Sequence, residues 1–456
     1  MAQEILLNAF HMNCIGHQSY GLWTHPRDTA RQYNTLGYWC DLARTLERGL
    51  FDGLFLADVL GVYDVYGNSP DAALRNATQV PVNDPLMLVP AMAMVTEHLG
   101  FGVTCTLSYE PPYTFARRMS TLDHLTNGRI GWNIVTGYLN SAAQGMGEQK
   151  QASHDRRYEM AEDYMQVVYK LWEGSWEDGA VVEDRETGIF ADPAKVHRVR
   201  HDGPFYQLDA IHLCEPSPQR TPLLFQAGAS PKGREFAARN AECLFIAAAS
   251  AEWIKTYVAD MRARAVAAGR RADDLKIFAL CTPIVGATKA AAEEKLAEYR
   301  RYVHTEGALV QLSGTMGIDL AEFDLDTPVS VLAERETDAT RTVLETLTRA
   351  SSNPYSTIRQ MGEFAGVGGR APIFTGTGDD VAEQIISWVD ETGVDGFNLA
   401  YAVMPETFED FVDHVVPALQ ARGRYKTAYR EGALRAKLFG QPRLPASHPG
   451  AAVRES

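Results

Sequence analysis

Apolar runs of strand length alternate with segments of helical periodicity along almost the whole chain. The alternation predicts eight strands, each followed by a helical pattern. The predicted strands are residues 5–10, 53–57, 101–107, 129–135, 223–226, 243–247, 277–285 and 396–401. The clearest predicted helices are residues 38–48, 84–98, 113–125, 156–172 and 406–419.

Eight strand–helix units are the number found in a (β/α)8 TIM barrel, and we predict this α/β fold. The alternative is an open doubly wound sheet. Such a sheet normally carries a glycine-rich nucleotide turn after its first strand. The segment that follows the first predicted strand, HMNCIGH, contains no such turn.

Three stretches interrupt the alternation, at residues 61–82, 174–221 and 305–370. Long insertions in a compact enzyme tend to be lids or binding loops. In a barrel they lie at the face formed by the carboxyl ends of the strands, where active sites occur. We therefore predict one domain over residues 1–456, with insertions at 174–221 and 305–370, the second acting as an active-site lid.

Composition and charge narrow the class of protein. The 456 residues carry a formal charge of −15, which disfavours nucleic acid as a partner. The six cysteines form no C-x-x-C pair, a pattern typical of reduced thiols. We find no signal peptide and no apolar run long enough to cross a membrane. The sequence thus predicts a soluble, cytoplasmic enzyme.

Polar and titratable residues follow the first predicted strand. Four of them lie at or just past its end: His11, Asn13, Cys14 and His17. At the carboxyl end of a barrel strand such groups indicate an active site, although they can also merely satisfy loop backbone groups. A metal site is disfavoured because no third ligand of suitable spacing accompanies the two histidines.

Further polar residues lie near strand ends and at one helix start. Asp58 ends the second strand, where it either accepts hydrogen bonds from a ligand or caps the loop. Thr104 lies inside the third strand, where β-branched residues are common for structural reasons. His154 and Tyr158 are four residues apart at the start of a helix, so they share one face, although capping also explains polar residues there.

The segment QAGASPKGR is the clearest local signal. The fifth strand ends at Gln226, Gly228 permits a tight turn, and Ser230 is placed as N-cap with Pro231 at the first helical position. A helix start of this kind offers free N–H groups and a positive dipole end to an anion, typically a phosphate. Many helices open with Ser-Pro, so the motif is only moderately specific by itself.

Eight segments spread over nearly the whole chain together identify a protein family more specifically than any single motif does. They are HMNCIGHQSYGLW, FLADVLGVYDVY, PVNDP, YEPPYTFARRMSTLDHLTNGR, GWNIVT, HDRRY, KLWEGSW and PSPQRTPLLFQAG. These segments resemble the bacterial luciferase-like flavin monooxygenases, in the group of nitrilotriacetate, dibenzothiophene-sulfone, dimethyl-sulfide and long-chain alkane monooxygenases. The resemblance implies a (β/α)8 barrel that binds FMN at the carboxyl ends of its strands.

The resemblance also implies roles for particular residues. The cofactor-binding positions of the family fall on Asp58, Thr104, His154, Tyr158 and Ser230. Tyr158 and the helix start at Ser230 would hold the phosphate, with Asp58 and Thr104 nearer the ring system. The family's first-strand asparagine, cysteine and following histidine fall on Asn13, Cys14 and His17, and its substrate-side loop falls on Tyr63 and Gln79. We expect Asn13, Tyr63, Gln79 and Gln311 to bind the substrate, and His11, Cys14, His17 and Tyr138 to be the catalytic residues.

Two of these positions depart from the alkane-type pattern. Where that pattern has a histidine after the fourth strand, this chain has Gly137-Tyr138. A second family histidine, in the long insertion, falls on Gln311. The loss of two potential proton donors counts against alkane hydroxylation but leaves the flavin chemistry intact.

The reaction implied by the resemblance is oxygenation of a small organic substrate by O2 and reduced FMN (FMNH2). The chain has no recognisable nicotinamide-binding turn, so we expect a separate NAD(P)H:flavin reductase to supply the reduced FMN in trans. His11, His17 and Tyr138 are candidates to hydrogen-bond the reacting oxygen or the substrate, and Cys14 would line the pocket. The resemblance also suggests a homodimer or homotetramer.

The expected substrate is mainly apolar: a sulfide, a sulfone or an alkane rather than an aminopolycarboxylate, which would need a cluster of pocket arginines. The apolar residues expected at the pocket are Trp23, Val59, Leu60, Val62, Tyr63, Met94 and Tyr138. Two other functions fit the same barrel. One is hydride transfer with a deazaflavin, and the other is flavin binding without turnover.

Overall fold

Eight parallel strands close into a barrel in the computed structural model, which describes residues 3–335 and 356–455. The strands are β1 (Leu6–Met12), β2 (Gly53–Ala57), β3 (Gly100–Thr106), β4 (Ile130–Val135), β5 (Leu223–Gln226), β6 (Cys243–Ile246), β7 (Lys276–Val285) and β8 (Gly396–Leu399). Each strand pairs in parallel with the next, and β8 pairs with β1 from Leu6↔Gly396 onward. The predicted (β/α)8 barrel is confirmed.

Helices surround the barrel. They are α1 (Leu36–Arg48), α2 (Asp71–Asn76), α3 (Val89–Ala93), α4 (Pro112–Leu125), α5 (Asn140–Gly145), α6 (His154–Tyr169), α7 (Pro231–Asn240), α8 (Ala251–Ala267), α9 (Lys289–Arg300), α10 (Thr305–Met316), α11 (Ile358–Ala365), α12 (Gly378–Thr392), α13 (Glu406–Asp410), α14 (Val416–Ala421) and α15 (Leu434–Phe439). Within the described ranges, none of these helices has the length and apolar composition needed to cross a membrane.

Side chains alternate between two buried layers along each strand, as the two-residue period of a strand requires. On β1, Leu6 and Phe10 pack inside the barrel, against aromatic residues such as Phe55. Leu7 and Ala9 point the other way, into the layer between strands and helices. This parity decides which β1 side chains can reach the mouth of the barrel.

The helix that the hydrophobic pattern predicts over residues 84–98 is much shorter in the structure. A 3-10 turn is followed by a helix that ends at Ala93. The guanidinium of Arg129, at the start of β4, donates to the carbonyls of Ala93 and Thr96, both at 3.0 Å. Carbonyls that would accept helical N–H groups are thus satisfied by a side chain from a distant part of the sequence.

Three further features lie outside the ring. A ninth strand, Ile373–Gly376, pairs with the second half of β7 and was not predicted. The insertion at 174–221 contains two antiparallel hairpins, Val181–Asp184 with Ile189–Ala191 and Val199–Asp202 with Gln207–Ala210. In the insertion at 305–370, α10 and α11 share an apolar cluster, while residues 336–355 lie outside the described residues.

Candidate active site

A cavity of about 270 Å³ opens at the carboxyl ends of β2, β3, β4 and β5. Its lining combines polar side chains with apolar walls. The residues that line the cavity include Asp58, Thr106, Tyr138, Tyr158, Gln226 and Phe236. Ligand sites of barrel enzymes lie at this face, and a lining of this kind is typical of a cofactor site.

One end of the cavity is built from the start of α7 and the first turn of α6. Ser230 is the N-cap of α7, where its Oγ accepts the N–H of Gly233 at 3.1 Å, and Pro231 is the first helical residue. His154 Nε2 lies 3.1 Å from Ser230 Oγ. A Cβ at Gly233 would lie 2.7 Å from Tyr158 Oη, so the hydroxyl approaches the helix backbone directly. The predicted helix start is confirmed, and three predicted residues meet at it.

The loop that leads into α7 is held by α8. Tyr257 Oη donates to the carbonyl of Gly228 at 3.1 Å. Arg234 Nε donates to the carbonyl of Ala229 at 2.9 Å, and its guanidinium pairs with Asp260 at 2.9 Å. Sequence reasoning missed these supports because α8 carries no local signal that it contacts this loop. The loop is thus fixed, and the start of α7 offers free N–H groups of the kind that can bind an anion.

Two polar side chains on the barrel strands β4 and β5 have buried acceptor atoms without hydrogen-bond partners in the described ranges. Asn133 Nδ2 donates to Thr104 Oγ1 at 2.9 Å, but Asn133 Oδ1 accepts nothing among the described residues. Gln226 Oε1, on the neighbouring strand, is also buried and unpartnered there. An unsatisfied buried acceptor costs about 1–3 kcal/mol, so such atoms indicate a ligand or bound water. Both residues were missed, although a polar residue inside an apolar strand signals them.

These features fit FMN. A helix start with Tyr158 and His154 suits the phosphate, and Gln226 lies beside the Tyr158 hydroxyl. The unpartnered acceptor Asn133 Oδ1 suits a donor of the flavin ring. Thr104, which was predicted to lie near the ring, accepts a hydrogen bond from Asn133 Nδ2. The chemistry of the residues present therefore matches both halves of the cofactor.

Asp58 lies at the cavity with an altered acidity. Burial and, to a lesser extent, the negative charge of Asp84 raise the pKa of its carboxyl to about 7, against the opposing effect of a hydrogen bond from the Val59 N–H. Near neutral pH this carboxyl therefore titrates. It can donate a hydrogen bond when protonated and accept one when ionised.

A second cluster joins the predicted substrate-side residues. Tyr63 Oη lies 2.5 Å from Tyr138 Oη and donates to Gln79 Oε1 at 2.9 Å. Gln79 Nε2 donates to the carbonyl of His17 at 2.9 Å. Gln311 on α10 lies beside the Tyr63 hydroxyl, so the insertion covers this cluster.

The residues of the first strand separate into two groups. His11 points away from the barrel mouth, where its Nε2 lies 2.7 Å from Tyr38 Oη and its ring packs on Trp39. Burial lowers the pKa of His11 to about 3, so the imidazole is neutral. Position 11 has the outward parity of Leu7 and Ala9, and its ring lies parallel to that of His17 with the two centroids 6.4 Å apart.

The other three residues stay near the barrel mouth. Burial holds the pKa of His17 well below its ordinary value, and its Nδ1 is buried without a partner in the described ranges. Burial raises the pKa of the Cys14 thiol, so it is not a thiolate nucleophile. Asn13 Nδ2 donates to the carbonyl of Asp84 at 3.2 Å, and its Oδ1 is unpartnered among the described residues.

The predicted apolar wall is correct only in part. Val59 and Leu60 line the cavity, together with Tyr138. Met94 does not, since its side chain is 85% exposed beyond the end of α3. The early end of this helix turns Met94 toward solvent.

Comparison with known proteins gives consistent matches. The family model described as luciferase-like monooxygenase matches residues 12–396. The dimethyl-sulfide monooxygenase of Hyphomicrobium sulfonivorans is 51% identical, over 100% of this chain and 95% of that protein. The long-chain alkane monooxygenase of Geobacillus thermodenitrificans (strain NG80-2) is 47% identical, over 100% of this chain and 99% of that protein. A crystal structure of riboflavin lyase with modified FMN and riboflavin is 35% identical with a TM-score of 0.90, covering 99% of this chain and 100% of that one.

Proposed function

The chain belongs to the luciferase-like monooxygenase family, and on this premise we propose that it is the oxygenase component of a two-component system. It uses reduced FMN and O2 to oxygenate a small, mainly apolar organic substrate. An organosulfur compound such as a sulfide or sulfone fits the site better than an alkane does. The reason is that both positions where the alkane-type pattern has histidine carry other residues, Tyr138 and Gln311.

The observation that carries this proposal is the meeting of His154, Tyr158 and Ser230 at the start of α7. The three residues come from two helices, and Tyr158 lines the cavity together with Gln226, which lies beside its hydroxyl. When bound, reduced FMN supplies the electrons that activate O2. Tyr158 and the α7 N-terminus would hold the phosphate, with Asp58, Thr104 and Asn133 nearer the ring.

The substrate side supplies an ordered network of hydroxyl and amide groups. The carbonyl of His17 fixes the orientation of the Gln79 amide, so Gln79 Oε1 accepts the single hydroxyl proton of Tyr63. Tyr138 must then donate its proton to Tyr63 Oη. This chain of bonds holds the Tyr138 phenol at the cavity, where its oxygen can accept a hydrogen bond and orient a polar group of the substrate.

The insertion that carries α10 covers the inner part of this cluster. A Cβ at Gly314 would collide with the ring of Tyr63, so the helix lies directly on it. Gln311 and Thr315 of the same helix lie beside the hydroxyls of Tyr63 and Tyr138. Tyr63 is buried while Tyr138 remains 44% exposed, so the helix covers the cluster from one side, as a lid does.

The direct test is formation of oxygenated product by the purified protein with photochemically reduced FMN and O2, because free reduced FMN consumes O2 without an enzyme. Four substrates separate the classes: dimethyl sulfide, dibenzothiophene sulfone, hexadecane and nitrilotriacetate. We expect product from one of the two sulfur compounds. Equal inactivity on all four would overturn the substrate class, and turnover with NADH and FMN without a reductase would overturn the supply of reduced FMN in trans.

A further inference from the structure

A second cavity, of about 710 Å³, lies at the amino end of the barrel, opposite the candidate active site. Lys170 follows the last residue of α6, and Arg220 lies three residues before β5 begins, so both belong to this end of the barrel. The insertion at 174–221 and the C-terminal segment supply the other walls. The volume is in the range of sites that bind small organic ligands.

The lining of this cavity carries an excess of positive charge. It contains six basic side chains, Lys170, Arg198, Arg200, Arg220, Arg443 and Arg454, and three carboxylates, Glu173, Glu177 and Asp178. A fourth carboxylate, Asp209, pairs with Arg198 and lies 3.6 Å from Arg200. Six basic groups against four carboxylates leave two positive charges over, in a chain whose formal charge is −15. The excess is therefore local, and it favours an anionic ligand.

Lys170 is held in place with one N–H group left for a ligand. Its Nζ donates to the carbonyl of Arg200 at 3.3 Å and to His201 Nδ1 at 3.1 Å. His201 Nε2 lies 2.8 Å from Asp163 Oδ1, so the imidazole donates to the carboxylate and accepts from the ammonium. Among the described residues, no carboxylate lies within ion-pair distance of Lys170. An ammonium has three donors, and these contacts use two of them.

Arg220 lines the same cavity and has a buried donor without a partner. Its side chain is only 3% exposed, and its guanidinium donates to the carbonyl of Trp176 at 2.6 Å and to Asp178 Oδ1 at 2.8 Å. Its Nε is buried and has no hydrogen-bond partner within residues 3–335 and 356–455. Arg443 donates to Asp178 Oδ2 at 2.8 Å, so two guanidinium groups share one carboxylate. Buried polar groups are nearly always paired, so the free donor indicates a ligand or bound water.

The chemistry of these basic groups points to phosphate. The donor fork of a guanidinium matches two phosphate oxygens, and a lysine ammonium binds phosphate as a point charge. A single phosphate can contact only a few of the six basic groups. A chain of phosphates reaches several of them at once in a cavity of this size.

We propose that this cavity is a second ligand site, which binds a polyphosphate chain either free or attached to a nucleoside. Lys170, Arg220 and Arg443 contact the phosphate oxygens. The site lies at the end of the barrel opposite the candidate FMN cavity. The inference thus goes beyond the proposed function and does not depend on it.

Titration calorimetry with tripolyphosphate, ATP and adenosine tests the proposal. The purified protein is titrated in the absence of divalent cations, with and without saturating FMN. We expect tripolyphosphate and ATP to bind with a Kd below about 1 mM, and adenosine not to bind in this range. The Kd of tripolyphosphate should be the same with and without FMN. Tighter binding of ATP would identify a nucleotide as the ligand, and tighter or equal binding of tripolyphosphate the free chain.

Variants locate the bound anion. K170M and R443M should each raise the Kd of tripolyphosphate by about 10-fold or more, since each removes one charge-assisted contact. K289M removes an exposed lysine of α9, and R48M an exposed arginine of α1. These matched controls should keep the Kd within about 2-fold, because distant surface charges are screened.

Three results would overturn the proposal. The first is that the wild-type protein does not bind tripolyphosphate in this range. The second is that FMN abolishes the binding, which would place the anion at the start of α7. The third is that K170M and R443M bind like the control variants. If circular dichroism shows that R443M is unfolded, K170M decides by the same comparison. Failure of the proposed function would appear separately, as absence of oxygenated product with reduced FMN, and would leave these Kd values unchanged.

Discussion

His154 Nε2 and Ser230 Oγ lie 3.1 Å apart, although the two residues are 76 positions apart in the sequence. One begins α6 and the other is the N-cap of α7, so the bond joins two consecutive barrel helices at the mouth. Tyr158, one turn further along α6, points to the same helix start. An anion site formed in this way depends on the barrel, because neither helix provides it alone.

Ser230→Ala should weaken FMN binding by at least about 10-fold, since it removes a hydroxyl from the anion site. The lost N-cap also lowers the free energy of unfolding by about 1 kcal/mol. Thr288→Ala is the matched control, because Thr288 caps α9 through the N–H of Ala291 outside this site. The control should lose similar stability and keep the Kd for FMN, measured by fluorescence titration. Equal Kd values for both variants would contradict the assignment.

Gly233→Ala should also weaken FMN binding, although alanine is the better helix former. Its Cβ would lie 2.7 Å from Tyr158 Oη and 3.0 Å from Ser230 Oγ, so the Tyr158 hydroxyl must move. We expect the Kd for FMN to rise by about 10-fold or more, the size of one lost hydrogen bond to a charged group. The double variant Gly233→Ala/Tyr158→Phe should bind no worse than Tyr158→Phe alone. If the double variant instead lost the sum of the FMN affinities lost by the two single variants, the effect of Gly233→Ala would not come from a collision with Tyr158 Oη.

Asp58→Asn should change the pH dependence of stability. The carboxyl titrates at about 7 in the folded protein, against an ordinary value of 3.8. Between these values the folded state binds more protons than the unfolded state, so the free energy of unfolding falls as pH rises from about 4 to about 7. Asp58→Asn removes this loss, so its stability relative to wild type should increase over that range and level off above it.

Urea unfolding at pH 4.5, 6 and 8 without flavin measures this difference. Asp41→Asn serves as the control for a lost carboxylate, since the Asp41 side chain is 78% exposed on α1. A stability difference for Asp58→Asn that does not vary with pH would show that Asp58 is not held in a raised-pKa environment.

Tyr63→Phe should separate cofactor binding from turnover. The variant removes the hydroxyl that links Tyr138 to Gln79 but leaves the helix start at Ser230 untouched. We expect the Kd for FMN to stay within about 2-fold and kcat to fall by about 10-fold or more, the loss of one ordered buried hydrogen bond. Tyr113→Phe, whose hydroxyl donates to the Ile211 carbonyl at an exposed position, should change neither. Loss of FMN binding in Tyr63→Phe would place Tyr63 in the cofactor site instead.

Much of the fold could be predicted because the eight apolar runs are local signals that tertiary contacts reinforce. The helix start at Ser230 was also local, since Ser, Pro and Gly each favour their own position there. What could not be predicted depends on distant contacts. The hydrogen-bond partner of His11 and the early end of the helix stopped by Arg129 are both set by residues far away in the sequence.

Oxygen-isotope incorporation tests the central claim most directly. A separate NADH:flavin reductase, FMN and 18O2 are supplied with dimethyl sulfide or dibenzothiophene sulfone, and the product is analysed by mass spectrometry. We predict one 18O atom per product, dependent on FMN and strongly reduced in Ser230→Ala when FMN is limiting. Product without 18O, or 18O incorporation that does not require FMN, would contradict the proposal that this barrel holds reduced FMN for monooxygenation.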